Sequence, residues 1–371
     1  MKEQLNELAL KPIISRALDA ENLTLIDWDI QSAHGGYSHE LTGGIYRLSG
    51  IAQTGNGRSP FSLILKIIQA PAEPTPIDHP HYWKRELLAY QSGLLDDLAP
   101  NLRAPRCFAT QAIDEATDWL WLEDVNDQLG DEWPLAHFEV AAQHLGEFNG
   151  RYLSPHAQPN HAWLSRHWLT AWLQDYAHLP DLIADDHTWQ HPLVHNILPR
   201  PYQERLLHLW HNRDQLFQAL AQLPQTFCHL DAFRPNLFAH PNQTIIIDWD
   251  KTGFGAIGEE LGGMIAATMI WFRVEASQAQ TFGDLAYKGY LQGLRNAGWQ
   301  GDPRQVRLGF TASSALRWGI PGVFWLGGVG DATYPQKWVQ WWQRPIPHMQ
   351  QQWVKVTTYL LDLADEAFQL L

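Results

Sequence analysis

The residues with the greatest chemical potential stand together in His229-Leu230-Asp231-Ala232-Phe233-Arg234-Pro235-Asn236, with Asp248 following at the end of Ile245-Ile246-Ile247. Phosphoryl transfer needs a group that orients the attacking hydroxyl and accepts its proton. It also needs oxygen ligands for a divalent ion that neutralises charge between phosphates. An Asp, an Asn five positions on and a second Asp closing a buried strand supply those parts. An isolated His-Asp pair reads equally well as a surface turn; Asn236 and Asp248 at this spacing favour the chemical reading.

These side chains must be positioned by the elements around them. Leu23 to Ile30 alternates, with Ile26, Trp28 and Ile30 on one face and Asp27 and Asp29 on the other, which predicts a strand. The turn-rich segment Gly35 to Gly44 follows, then a second strand over Ile45 to Ala52, the turn Asn56-Gly57, and a third strand over Phe61 to Ile68 carrying one charge, Lys66. A proline-rich connector (Pro71, Pro74, Pro76, Pro80) leads into a helix predicted over Tyr82 to Leu98, where Leu87, Tyr90 and Leu94 recur at helical spacing. Two further strands, Arg106 to Ile113 and Asp118 to Leu122, flank the turn Asp114 to Thr117. From Pro134, which suits a first helical turn, helices dominate; Phe138, Ala141, Leu145, Phe148 and Tyr152 form one stripe. One β interruption, Phe238 and Thr244 to Asp248, flanks the turn His240 to Gln243. The sum is an α+β chain: a five-stranded antiparallel sheet with a helix, a short hinge near Glu123 to Val125, and a larger helical part.

From Leu41 to Leu261 the sequence resembles the aminoglycoside phosphotransferase and choline kinase superfamily, a branch of the protein-kinase-like fold. The pattern His-x-Asp-x-x-x-x-Asn is met by His229, Asp231 and Asn236, with Leu230 where many members have Gly. Asp248, with Trp249 and Asp250, stands where the family has its second metal-binding Asp. The resemblance implies a bilobal fold: a nucleotide-binding lobe over 1–122, a hinge over 123–126, and a helical lobe over 127–371 with the catalytic loop and acceptor site. It implies Asp231 as catalytic base, Asn236 and Asp248 as magnesium ligands, His229 as a scaffold bracing the loop, and Arg234 and Asp250 as supporting groups. Lys66 and Glu86 look like the family's lysine–glutamate pair that positions nucleotide phosphates; a buried ammonium needs such a partner. Gly43-Gly44 resembles the paired glycines opening the second strand below a phosphate-covering loop, although an ordinary hairpin loop has the same composition. Adenine would meet backbone around Glu123 and Val125, and Trp121 either narrows that pocket or packs in the core. Glu260, bracing the catalytic loop, stands where members often have Asp. Only the short turn Gly253 to Leu261 follows Asp248, with no room for a peptide-holding activation segment and no Ala-Pro-Glu anchor, which points to small-molecule acceptors.

Bulk properties fit a folded globular protein: 371 residues, 45% apolar and 18% charged. The formal charge of −14 argues against a nucleic-acid partner; it is compatible with a cationic substrate and equally with an acidic surface that serves solubility alone. Met1 to Ala20 reads as an amphipathic helix rather than a signal peptide. The longest apolar run, Met264 to Phe272, is too short to span a bilayer, so no membrane association and a cytoplasmic location are expected. Cys107 and Cys228, the only cysteines, imply neither disulfide framework nor zinc site. Nineteen tryptophans, with Trp338, Trp341 and Trp342 clustered, serve as packing anchors or as an aromatic wall for a cation or sugar. Asp181, Asp185 and Asp186 are either solvated loop charges or partners for amines. The expectation is magnesium-dependent transfer of the ATP γ-phosphate, with GTP left open, to a hydroxyl of an aminoglycoside, choline, amino alcohol or sugar. The rival is a catalytically silent nucleotide-binding pseudokinase, marked by loss of base, ligands or lysine; a protein kinase lacks its anchor here.

Overall fold

The computed structural model describes residues 5–33, 42–73, 75–195, 198–329, 331 and 333–371. Two compact units emerge: Met1–Gln128 with His161–Trp163 and Phe238–Asp250, and Leu129–Asn160 with Leu164–Leu237 and Lys251–Leu371.

In the first unit, α1 (Glu7–Leu18) opens with Asn6 accepting a hydrogen bond from the Ala9 amide at 2.8 Å, an N-cap that satisfies one orphan donor. Strands β1 (Thr24–Ser32), β2 (Thr42–Thr54) and β3 (Gly57–Gln69) precede α2 (Arg85–Gln91), β4 (Leu102–Arg103), β5 (Cys107–Ala112) and β6 (Thr117–Glu123). The five-stranded sheet has the order β1-β2-β3-β6-β5, every neighbouring pair antiparallel. Leu10, Ile13 and Ile14 of α1 share a core with Leu48, Leu63, Leu65 and Trp121. Trp121 is fully buried, and its indole donates to Gln111 Oε1 at 3.0 Å; it is a core residue.

Two local expectations fail for identifiable reasons. Ile26 is 45% exposed while Leu25 is buried, because a bulge between Leu25 and Asp27 leaves Ile26 as the extra residue; Trp28 and Ile30 beyond it pack inward as the alternation predicts. The helix predicted to Leu98 stops at Gln91, since Gly93 adopts φ +74, outside the right-handed helix.

The second unit is mainly helical: α3 (Leu135–Arg151), α4 (Trp168–Asp175), α5 (Leu179–Ala184), α6 (Asp186–Gln190), α7 (Pro192–His195) and α8 (Pro201–Gln222). Pro134 is the N-cap of α3 rather than a residue of its first turn. Strand β7 (Gln225–Cys228) leads into the His229 loop. In the first unit, β8 (Leu237–His240, from Phe238 on) and β9 (Gln243–Ile246) form a three-stranded sheet with β4. Back in the second unit, β10 (Gly253–Ala256) pairs with β7, followed by α9 (Glu259–Ile270), α10 (Ala279–Asn296), α11 (Pro303–Ser314), α12 (Tyr334–Trp342) and α13 (Ile346–Leu370). Trp338 packs against Trp325 and Trp353, whereas Trp341 is 51% exposed. Among the described residues no helix is long and apolar enough to cross a membrane. Helices α3 and α10 meet at their backbones: a Cβ on Gly146 would lie 2.1 Å from the Tyr290 carbonyl oxygen, and one on Gly293 would lie 1.9 Å from that of Gln143.

Candidate active site

Within the first unit, β3 buries Phe61, Leu63, Leu65 and Ile67 in the core, and Lys66 stands on the opposite face, its side chain 13% exposed beside α2. Lys66 Nζ lies 2.5 Å from Glu86 Oε2, on α2, and 2.5 Å from Asp248 Oδ1, just past β9. Burial pulls the Lys66 pKa down, but Asp248, Glu86 and Asp250 outweigh it and hold the group above its ordinary value, so it stays protonated. Burial also raises the Glu86 carboxyl, to about 6, against the opposing charge of Lys66. Glu86 Oε1 accepts the Trp249 amide at 3.3 Å, so one carboxylate ties the lysine to the chain beside Asp248. Asp248 adopts φ +67, a left-handed conformation that Asp tolerates better than most residues. Asp248 and Asp250 each offer a carboxylate oxygen within 4.8 Å of the other's.

Arg85 adds a feature that sequence reading missed. Fully buried beside Glu86, it donates to the carbonyls of Trp163 (2.7 Å), Pro80 (2.6 Å), His79 (2.6 Å) and Asp250 (2.9 Å). The guanidinium thus fixes the backbone of the Asp248–Asp250 segment while burial lowers its pKa to about 10. Its only sequence signal was its adjacency to Glu86.

At the end of β6, Glu123 accepts both Arg103 Nη1 (2.6 Å) and Nη2 (2.9 Å), and its amide donates to the Arg106 carbonyl at 2.9 Å. Val125 follows two residues on. Gly43 and Gly44 lie in β2, with Gly44 at φ +137. The rest of the proposed phosphate-covering loop, 35–41, falls outside the described residues.

In the second unit the loop after β7 is held by hydrogen bonds from several sides. His229, fully buried, accepts the Asp231 amide on Nδ1 at 3.1 Å, which requires that nitrogen to be unprotonated. Asn236 donates from Nδ2 to the Asp231 carbonyl at 3.0 Å, keeping Oδ1 as its acceptor end. Leu230 adopts φ +67, which explains why glycine suits this position and why leucine there needs external support. Glu260, in the first turn of α9, provides some: its Oε1 accepts the amides of His229 (2.5 Å) and Leu230 (3.3 Å). The Asp231 carboxylate receives Arg317 Nη2 on Oδ1 at 2.5 Å and Lys251 Nζ on Oδ2 at 2.9 Å. Neither cation was singled out from sequence: Arg317 is remote in the chain, and Lys251 had no motif of its own.

Arg234 serves the loop's far side, donating to the carbonyls of Leu237 (2.7 Å) and Gly130 and lying over Trp133. Asp185 caps α6, and Asp186 pairs with Arg200, both in exposed positions.

Glu260 also yields a stability prediction. Burial raises its pKa to about 7, with Glu259 adding to the rise, and Oε2 is buried without a hydrogen-bond partner among the described residues. A carboxyl whose pKa is higher folded than unfolded stabilises the fold most below its unfolded value of 4.5, and loses that contribution as pH rises through 7. Glu260→Gln keeps an oxygen for both amides and removes the titration. The melting temperature of wild type should therefore fall relative to Glu260→Gln between pH 4.5 and 8, by the equivalent of about 3 kcal/mol. Parallel melting curves across that range would contradict the assignment.

The antiparallel sheet with helices α1 and α2, and the helical unit carrying the His229–Asn236 loop, define a protein-kinase-like α+β fold. The chain belongs to the phosphotransferase enzyme family, whose model matches residues 51–300. It is an enzyme of small-molecule phosphoryl transfer. Among solved structures it is similar to a spectinomycin phosphotransferase in complex with ADP and spectinomycin (11% identity, 92% of this chain and 93% of that one, TM-score 0.51). It is also similar to a choline kinase from Cryptosporidium parvum Iowa II (12% identity, 98% and 95% covered, TM-score 0.50). These likenesses concern the fold. No curated protein sequence matches the chain.

Proposed function

We propose that the protein transfers the γ-phosphate of ATP, with magnesium, to a hydroxyl of a small molecule. The observation that carries this reading is Lys66 bonded at 2.5 Å to both Glu86 and Asp248, a buried cation held by two acids that phosphates can join. Lys66 and Glu86 hold the nucleotide phosphates. Adenine takes the Glu123 carbonyl and the Val125 amide, because the Glu123 amide is already used by Arg106. GTP presents a different edge to those groups, and preference between the two is read by direct competition.

Asp248 and Asn236 are the metal ligands in this reading, with Asp250 alongside Asp248. The donors are all oxygen atoms, which suits a hard divalent cation. Bound there, magnesium would neutralise charge between the β- and γ-phosphates. Asp231 orients the acceptor hydroxyl and takes its proton as the oxygen attacks phosphorus; His229 and Glu260 keep the loop in place for that purpose. Family membership and the short connection between Asp248 and α9, which includes β10, support a small acceptor rather than a peptide. The net charge of −14 favours one bearing amines, such as an aminoglycoside or amino alcohol, and a cytoplasmic setting would supply ATP and magnesium.

The test is ATP consumption with magnesium across a panel of aminoglycosides, choline, amino alcohols and sugars. Consumption that depends on one of these acceptors, with a phosphorylated product detected by mass spectrometry, is the expected result. Tight magnesium–nucleotide binding with no turnover on any acceptor would instead make the chain a silent binding module.

A further inference from the structure

We propose that Arg317 is a positioning residue for this reaction: it fixes the Asp231 carboxylate in the one orientation from which it can receive the acceptor's proton. The proposal rests on the phosphotransfer reading for the meaning of that orientation, but its geometry stands on the second unit alone.

Arg317 lies in a π-helical turn, Ala315–Gly319, a distortion that often marks functional positions. Its side chain is 5% exposed. The planar fork spans backbone and side chain of the same loop: Nη1 donates to the Leu230 carbonyl at 2.6 Å, and Nη2 to Asp231 Oδ1 at 2.5 Å. A fork that grips both the left-handed residue and the carboxylate next to it leaves the Asp231 side chain no second rotamer that keeps both bonds. Lys251 occupies the other carboxylate oxygen.

The surroundings are built to hold this guanidinium still. It stacks 4.4 Å from the Trp168 ring, and Trp318 stands 5.9 Å away. Trp172 packs against both tryptophans and donates its indole N–H to the Arg317 carbonyl at 2.7 Å. On α9, Gly263 leaves the room: a Cβ there would come within 2.3 Å of Nη1. The face of Trp168 is therefore already covered by a cation of the chain itself. These tryptophans hold the loop's arginine.

Arg317→Lys preserves charge but cannot make both bonds; Arg317→Met preserves bulk and removes the charge; Arg317→Ala opens a slot for free guanidinium. With ATP, magnesium and the acceptor found in the panel, Arg317→Met is expected to lower kcat about thirtyfold with KM for ATP little changed, as for misplacement of a reacting group. Arg317→Lys should recover only part of that loss, and millimolar guanidinium should restore activity to Arg317→Ala without changing its melting temperature. Crystal structures of wild type and Arg317→Met, or Arg317→Lys should the first fail to fold, give a reading independent of turnover. The Asp231 carboxylate should leave its wild-type orientation while the His229–Asn236 backbone stays in place. Wild-type kcat in Arg317→Met, or an unmoved Asp231 carboxylate in the variant crystal, overturns the proposal. If wild type consumes no ATP with any acceptor, the phosphotransfer reading falls, and the crystal comparison alone decides whether Arg317 orients Asp231.

Discussion

Asp231→Asn is expected to lower kcat about a thousandfold, the scale on which a general base contributes to proton transfer. The amide fits the same space and keeps one oxygen, but it cannot accept a proton from an alcohol. Nucleotide binding should survive, because Lys66, Glu86 and the Glu123–Val125 backbone belong to the other unit. Arg317 and Lys251 would lose the charge they both meet, and breaking a buried pair of this kind costs about 3 kcal/mol or more. A lower melting temperature should therefore accompany the kinetic loss, and activity must be measured well below it. Isothermal titration with a non-hydrolysable ATP analogue separates the two effects: unchanged affinity with lost turnover is the expected pattern. Wild-type turnover in Asp231→Asn would remove Asp231 from the chemistry altogether.

Asp248→Asn should have an effect of similar size but different kind. Asparagine tolerates φ +67 as aspartate does, so the backbone is preserved where alanine would strain it. What is lost is one negative charge from the Lys66–Glu86–Asp248 group and an anionic oxygen for the metal. Magnesium–ATP affinity should drop by about one to two orders of magnitude and kcat/KM by about three, since metal and phosphates are bound together. ATP binding without magnesium should change far less, because Lys66 keeps Glu86. Equal losses with and without the metal would mean that Asp248 serves only to hold the lysine.

Much of this arrangement could be read from the residues because it is local. Alternation announced the strands of the sheet, and the spacing from His229 to Asn236 marked the loop, since each pattern repeats within a few residues of itself. The face of β1 could be read for Trp28 and Ile30, which pack against the core, but not for Ile26: it is the extra residue between Leu25 and Asp27, and nothing in the composition betrays that break in the alternation. Arg85 was hidden because its partners are backbone carbonyls, which carry no sequence signature. Arg317 and Asp231, at a sequence separation of 86, meet through helix packing, which no periodicity reports. Glu260 was placed by analogy with a shorter acid, and its extra methylene still reaches both amides.

The glycine seam between α3 and α10 has a mechanical consequence. Where carbonyl oxygens of one helix sit against α-carbons of the other, the pair cannot slide without collision, and it behaves as a single stiff beam. Asn149 and Tyr290 rivet that beam to the root of the reactive loop: the tyrosine hydroxyl donates to Asn149 Oδ1 at 2.6 Å, and Asn149 Nδ2 donates to the Phe227 carbonyl at 2.9 Å. Amide hydrogens along β7 should accordingly be among the slowest in the protein to exchange with solvent, making this strand the anvil on which the loop's geometry is kept.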